Sequence, residues 1–210
     1  MKSNFLYALA FFMTASFGLV SAQSSTVVGP EFGIKGGVNM SNLYSDSDDI
    51  DDENALWGFN AGLYAAFPIA DNIFIQPELL YTTKGAELEY NTLGFEGTSK
   101  FKLNYIELPL LVRFNLTENF NIHVGGYASY LVNAKVTGDG DVDFDQELDA
   151  DDFERFDAGL SAGVGVNFNP ISAGLRYNYG LAPIGKDVDG VTFPDAKNSN
   201  LSLYLSYKLN

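Results

Sequence analysis

Long segments of this chain alternate apolar and polar residues with a period of two, and this pattern restricts the fold more than any other feature. In residues 57–67 the odd-numbered positions are apolar, and the even-numbered positions are mostly small or polar. Successive side chains of a β-strand point to opposite faces, so this period predicts strands with one apolar and one polar face. Eight such segments are predicted, near residues 31–41, 56–67, 72–90, 98–116, 120–136, 155–168, 171–181 and 199–209.

The connections between the predicted strands alternate in length. Short turns at one end and long loops at the other are typical of outer-membrane barrels, and an even strand number places both chain ends at the short-turn end. The pattern therefore predicts an all-β fold, an eight-stranded antiparallel up-and-down transmembrane β-barrel. The predicted tight turns are 68–71, 117–119 and 169–170, and the longer links are 42–55, 91–97, 137–154 and 182–198.

A soluble β-sandwich is the main alternative, because its strands also alternate, but its apolar faces would point into a shared core. The polar face here is rich in glycine and holds charges of both signs, which suits a barrel lumen better. The apolar face also carries aromatic residues near the segment ends, as the girdles of a membrane barrel would. These aromatic residues are Trp57, Phe67, Tyr81, Phe114, Phe156 and Phe168.

The first 22 residues have the pattern of a signal peptide. Lys2 precedes a mostly apolar run over residues 5–20, and Val20-Ser21-Ala22 fits a small-x-small cleavage site. We expect residues 1–22 to form a helical signal peptide in the precursor and residues 23–210 to form the barrel domain of the outer membrane. An uncleaved anchor is the alternative, but the apolar run is short and no stop-transfer charges follow it.

The chain is strongly acidic, with a formal net charge of −15 at pH 7. Such a surface does not neutralise phosphates, so nucleic-acid binding is not expected. More than half of the acidic residues fall in two segments, 46–53 and 139–154, where charge repulsion predicts long solvated loops.

The second acidic segment also raises the question of calcium, because Asp139, Asp141 and Asp143 have the ligand type and spacing that hard cations use. An EF-hand loop is not matched, since Phe144 occupies the sixth position and Ala150 the twelfth. A solvated negative surface is the favoured interpretation, and divalent bridging to lipopolysaccharide is the alternative.

The polar faces of the predicted strands would place eight charged residues in the lumen. The interior of an eight-stranded barrel is just wide enough for side chains to fill it, and charges buried there must pair. We therefore expect a salt-bridged lumen that holds the barrel shut; a polar conduit or a small-ligand site is the alternative. The residues are Lys35, Glu78, Lys84, Glu107, Arg113, Asp157, Arg176 and Lys208.

No catalytic site is expected. Glu78 and Glu107 lie on neighbouring predicted strands and point the same way, but nearby cations can neutralise both, and substrate could not easily enter a filled lumen. His123 is the only histidine, and its apolar neighbours Ile122 and Val124 place it on the lumen side. A lipid-modifying barrel enzyme, which needs a group reachable from lipid, is the least favoured alternative. No nucleotide or hydrolase motif is present in the sequence, and no cofactor is expected.

Several segments, in this order along the chain, resemble the PorT-like outer-membrane β-barrel family. They are FIQPELLY at 74–81 followed by Lys84-Gly85, YIELPLL at 105–111, GGY at 125–127, DAGL at 157–160 and LRYNYGL at 175–181. The resemblance implies an eight-stranded barrel with no established common activity, and some relatives serve a protein-secretion and gliding system. This chain departs from the pattern in its final Lys208-Leu209-Asn210, which lacks a terminal Phe, and in the high charge of the second acidic segment.

Two function classes follow from these observations. The favoured one is a non-enzymatic outer-membrane barrel with a plugged polar lumen and acidic loops for interaction or structural roles. The other is an accessory component of a secretion, gliding or transport system. In either class the expected partners are outer-membrane lipid, lipopolysaccharide and envelope proteins.

Overall fold

The computed structural model describes residues 29–44, 53–92, 95–140, 144–148, 154–184 and 196–210, and these contain nine strands. The predicted signal peptide and most of the first acidic segment lie outside the described residues. The strands are β1 (Glu31–Tyr44), β2 (Glu53–Ala70), β3 (Ile73–Thr92), β4 (Phe95–Asn115), β5 (Phe120–Gly140), β6 (Phe144–Leu148), β7 (Phe156–Phe168), β8 (Ile171–Gly180) and β9 (Lys197–Lys208).

Eight of these strands close into an antiparallel barrel. Each pairs with its neighbour in sequence order, β5 pairs with β7, and β9 returns to pair with β1. The short strand β6 is not part of the wall, because it pairs only with residues 134–138 of β5, beyond the region where β5 pairs with β7. The predicted eight-stranded barrel is therefore confirmed.

The outer wall of the barrel is apolar, and the alternation of each strand produces it. Trp57 and Phe168, at opposite ends of the wall, are each 67% exposed, and Leu203 and Leu205 on β9 are also exposed. The alternate residues of the same strands are buried and mostly polar. A wall of this kind suits a bilayer, where hydrocarbon replaces water around the apolar side chains. Among the residues described, no helix is long and apolar enough to cross a membrane.

Three strands are much longer than a membrane crossing requires. β3, β4 and β5 contain 20, 21 and 21 residues, whereas a tilted strand crosses a bilayer with about 9–11. The link predicted at 91–97 is wrong, because β3 continues to Thr92 and β4 begins at Phe95. The β3–β4 connection lies at the end of the barrel where the longer links were predicted, and we call that end the long-loop end. The opposite end, with the tight turns, is the short-turn end.

The prediction of a loop at 137–154 is also partly wrong, since β5 continues to Gly140 and β6 follows it. Charge repulsion was expected to keep this segment open. The β5–β6 ladder instead pairs residues 134–138 with 144–148, so backbone pairing extends into the acidic segment despite its charge.

The short turns lie close to the predicted positions. The first is shifted to Asp71 and Asn72, because β2 continues to Ala70. Asn72 has φ of 65°, a left-handed conformation that asparagine tolerates better than most residues. Near the chain end, the Asn210 side chain accepts a hydrogen bond from the Phe32 amide and donates one to the Pro30 carbonyl, both at 2.8 Å. These bonds extend the β1–β9 seam past the last strand residue.

Candidate functional site

The lumen holds three groups of charged side chains, stacked along the barrel axis. The first, which we call the central cluster, is formed by Lys35, Glu78 and Arg176. Lys35 Nζ lies 3.1 Å from Glu78 Oε1, and Arg176 donates to both carboxylate oxygens at 2.7 and 2.8 Å. Gln76 adds a further hydrogen bond to Glu78 at 2.8 Å. All four side chains are buried, and one carboxylate compensates two cations, the three charged residues lying on three different strands.

The upper cluster lies toward the long-loop end. Its balance of charge is opposite to that of the central cluster, since the single cation Lys84 lies between two carboxylates. Its ammonium is 2.6 Å from Glu107 and 3.1 Å from Asp157, and all three residues are fully buried. Asn178 donates to Glu107 at 3.2 Å and Asn198 to Asp157 at 3.0 Å, which satisfies remaining carboxylate lone pairs.

The lower cluster lies at the short-turn end and is formed by Glu31, Arg113 and Lys208. Arg113 Nη2 lies 2.7 Å from Glu31 Oε2, and Lys208 Nζ lies 3.6 Å from Glu31 Oε1. Sequence reasoning missed Glu31, although the signal was available: it lies an even number of positions before Lys35 in the first predicted strand and so shares its face. The eight predicted lumen residues all fall within the three clusters.

Polar side chains without charge fill the space between the clusters. Asn39 donates to Thr82 at 2.9 Å, and Asn60 donates to Asn39 at 2.6 Å and to Ser202 at 2.7 Å. These four residues come from four different strands and are buried. Together with the ion pairs they join opposite walls of the barrel.

His123 lies in the lumen beside the central cluster. Its Nε2 accepts a hydrogen bond from Arg176 Nε at 3.3 Å, and its Nδ1 lies 3.4 Å from Asn121 Oδ1. The first bond requires an unprotonated Nε2, so Nδ1 carries the proton and donates to Asn121. Glu78 and Glu107, considered above as a carboxylate pair, belong to different clusters. Glu78 is ion-paired with Lys35 and Arg176, and Glu107 is ion-paired with Lys84.

An apolar group closes the lumen above the upper cluster. We call it the stopper: Leu103, Tyr105, Leu131, Ala134, Ile184 and Ala196, all buried. Ile184 and Ala196 belong to the connection between β8 and β9, and the Ile184 amide donates to the Ala196 carbonyl at 2.8 Å. Asn198 donates to the Tyr105 hydroxyl at 3.4 Å, which connects the stopper to the polar groups beneath it.

A cavity of about 210 Å³ lies at the short-turn end, below the central cluster. We call it the vestibule. Exposed residues of the short turns, Glu118, Asn169 and Pro170, form part of its lining, so it faces the short-turn end. Its inner lining is polar and includes Glu31, Lys35, Arg113, Asn115, His123 and Lys208.

The side chains of the predicted calcium ligands lie outside what the structure describes. Asp139 is a backbone position near the end of β5, and Asp141 and Asp143 lie outside the described residues. Among the described residues, no group of three or more His, Cys, Asp or Glu side chains is arranged to hold a metal ion.

Comparison with solved structures finds other small outer-membrane proteins. Ail of Yersinia pestis, solved in complex with the heparin analogue sucrose octasulfate, is 17% identical, with a TM-score of 0.48 over 87% of this chain and 100% of Ail. Neisserial surface protein A is 19% identical, with a TM-score of 0.48 over 86% of this chain and 99% of its own. OprG of Pseudomonas aeruginosa is 16% identical, with a TM-score of 0.46 over 87% and 97%.

No curated protein sequence matches this chain. The assignment therefore rests on the family model, which covers most of the described barrel. That model, described as the outer membrane protein beta-barrel domain, matches residues 21–185. This chain belongs to the outer membrane protein beta-barrel domain family and is an outer-membrane β-barrel protein.

Proposed function

We propose that this protein is a closed, non-catalytic barrel that resides in the outer membrane and acts through its surfaces. The observation that carries the proposal is the network of lumen ion pairs, in which Glu78 and Lys84 each join three strands. Breaking such buried pairs to admit solutes would leave uncompensated charges, which is costly. The stopper supports the proposal independently, because it covers the lumen at the long-loop end with apolar side chains.

Conductance in planar lipid bilayers tests the closed lumen. We expect no open-channel steps from the folded protein, with a known open porin inserted in parallel as the positive control. A matched variant, Ile184→Ser, changes the stopper alone. The lumen of this variant should also give no conductance steps, because the ion pairs remain. Frequent, uniform conductance steps from the unaltered protein would contradict the proposal.

The proposed absence of catalysis is supported by the surroundings of His123. Its Nε2 accepts from Arg176, and the residue is 3% exposed and lies in the lumen, so lipid on the outer wall cannot reach it. If the barrel modified lipids, His123→Ala should abolish that activity. Assays of lipid A from cells with and without the protein should show no difference in mass.

The secretion or gliding role implied by the PorT-like resemblance is the alternative function. It is supported by the quoted sequence segments, which the barrel places mainly in β3, β4 and β8. Deletion of the gene followed by secretion and gliding assays tests it, and unchanged secretion would count against it. Under either function, the acidic long-loop end is the proposed surface for envelope partners and, through bridging divalent cations, for lipopolysaccharide.

A further inference from the structure

The vestibule has an excess of buried positive charge at its inner end. The central and lower clusters contain four cations, Lys35, Arg113, Arg176 and Lys208, and two carboxylates, Glu31 and Glu78. A further carboxylate, Glu118, also lines the vestibule, but it lies in an exposed turn where solvent screens its charge, and the extra carboxylate of the upper cluster lies beyond the central cluster. Buried charge in a membrane-embedded lumen is costly unless it is compensated, so the vestibule favours an anion.

Arg113 supplies a donor for that anion. It is 8% exposed and donates through Nη1 to Gln76 at 3.2 Å and through Nη2 to Glu31 at 2.7 Å. Its Nε is buried and has no hydrogen-bond partner among the described residues. A guanidinium has five N–H donors in a fixed plane, so it can serve a further acceptor without losing the existing bonds.

An acceptor lies on the same face of β4. Asn115 is two residues beyond Arg113, so its side chain points the same way and also lines the vestibule. Its Oδ1 is buried and has no hydrogen-bond partner among the described residues. A suitable ligand would therefore offer acceptor oxygens to Arg113 and one hydroxyl donor to Asn115.

Lys208 supplies a second, more adaptable cation. Its side chain is 30% exposed, and its ammonium lies 3.6 Å from Glu31, beyond normal hydrogen-bond length. The ammonium can therefore turn toward a ligand on its flexible stem. Glu31 and the exposed Glu118 oppose anion binding, but Arg113 and Lys208 both lie close to Glu31 and reduce its effect.

We propose that the vestibule binds one small phosphate-bearing solute that enters from the short-turn end. Phosphate and its monoesters combine acceptor oxygens with negative charge, and in their partly protonated form they also carry the hydroxyl donor that Asn115 requires. The cavity of about 210 Å³ admits inorganic phosphate or a small phosphate monoester. Because the vestibule ends at the central cluster, binding does not require an open lumen.

Titration of the folded barrel in detergent micelles with inorganic phosphate, followed by ³¹P NMR line broadening, tests the proposal. We expect saturable binding at one site, weakened about tenfold by Arg113→Gln, which removes a charge-assisted donor. Lys208→Gln should weaken it several-fold, and since Lys208 is partly exposed this variant remains informative if Arg113→Gln does not fold. Lys102→Gln removes a charge on β4 that is far from the vestibule, and this variant should bind phosphate as the unaltered protein does.

Sulfate at matched ionic strength separates the phosphate assignment from general anion attraction, because sulfate carries no hydroxyl at neutral pH. Sulfate should bind several-fold more weakly, and glycerol phosphate should compete with inorganic phosphate. The absence of saturable broadening, or equal binding by the Lys208→Gln and Lys102→Gln variants, would overturn the site. Equal binding of sulfate and phosphate would overturn its assignment to phosphate.

Discussion

Arg176 and Glu78 form a two-point ion pair across the lumen, although the strands that carry them, β8 and β3, are not neighbours in the barrel. A planar guanidinium and a carboxylate match in this arrangement, so the pair fixes both the spacing and the rotation of the two walls. Lys35, from β1, approaches the same carboxylate.

Removal of the central carboxylate should strongly destabilise the barrel. Glu78→Ala would leave the Lys35 and Arg176 cations buried without a carboxylate, and loss of one member of a buried pair costs about 3–5 kcal/mol. Urea unfolding, followed by heat-modifiable migration on gels, measures the change. Glu118→Gln, in an exposed short turn, is the control and should change the free energy of unfolding by less than about 0.5 kcal/mol.

The upper cluster should respond differently to single and combined changes. Lys84→Met would leave Glu107 and Asp157 buried with no cation and should destabilise the barrel by several kcal/mol, on the order of 3 or more. Adding Glu107→Gln and Asp157→Asn removes the uncompensated charges, so the triple variant should be more stable than Lys84→Met alone. Equal or lower stability of the triple variant in urea unfolding would contradict the role given to Lys84.

The stopper should control access of water to the lumen from the long-loop end. The chain contains no cysteine, so Ser129→Cys provides a single, nearly isosteric reporter thiol at a buried lumen position beside Glu107. Labelling of that thiol by a small maleimide should be slow, and adding Ile184→Ser should accelerate it by opening the apolar cover. Fast labelling without the second change would show that the stopper does not close the lumen.

Two glycines of the wall should differ sharply in their tolerance of alanine. Gly62 faces the lumen, and a Cβ added there would overlap the Leu79 carbonyl oxygen of the next strand. Gly36 faces outward, and a Cβ there would meet only the Asn60 carbonyl oxygen at 3.6 Å, an ordinary contact. Gly62→Ala should therefore cost about 1–3 kcal/mol, as overpacking does, and Gly36→Ala should be nearly neutral. Equal unfolding midpoints for the two variants would contradict this assignment.

The sequence was sufficient to predict which residues face the lumen, because the side-chain period of a strand determines its two faces. Lys35, Lys84 and Asp157 lie on the predicted side for this reason. Their partners could not be predicted, because contacts across a barrel depend on the stagger between strands that are distant in sequence. Lys84 and Asp157 lie on β3 and β7, which are not neighbours in the wall, so their contact depends on how the barrel closes.

The stopper was missed because two of its residues do not belong to any strand. Ile184 and Ala196 lie within the segment 182–198, which was predicted as a long polar loop, and no periodicity marks them as buried. The length of β5 was underestimated for a related reason, since acidic residues indicated a loop. Backbone pairing of β5 with β6 overrides that local preference.

Reactivity of the lumen lysines tests the closed, ion-paired lumen most directly. The folded barrel is treated with a small amine-acetylating reagent, and mass spectrometry of the peptides reports the extent of labelling at each lysine. Lys84 and Lys35, which are buried and ion-paired, should stay unlabelled while Lys208 and Lys102 react, and all four should react after heat unfolding. Labelling of Lys84 in the folded barrel at the rate of Lys102 would contradict a sealed lumen.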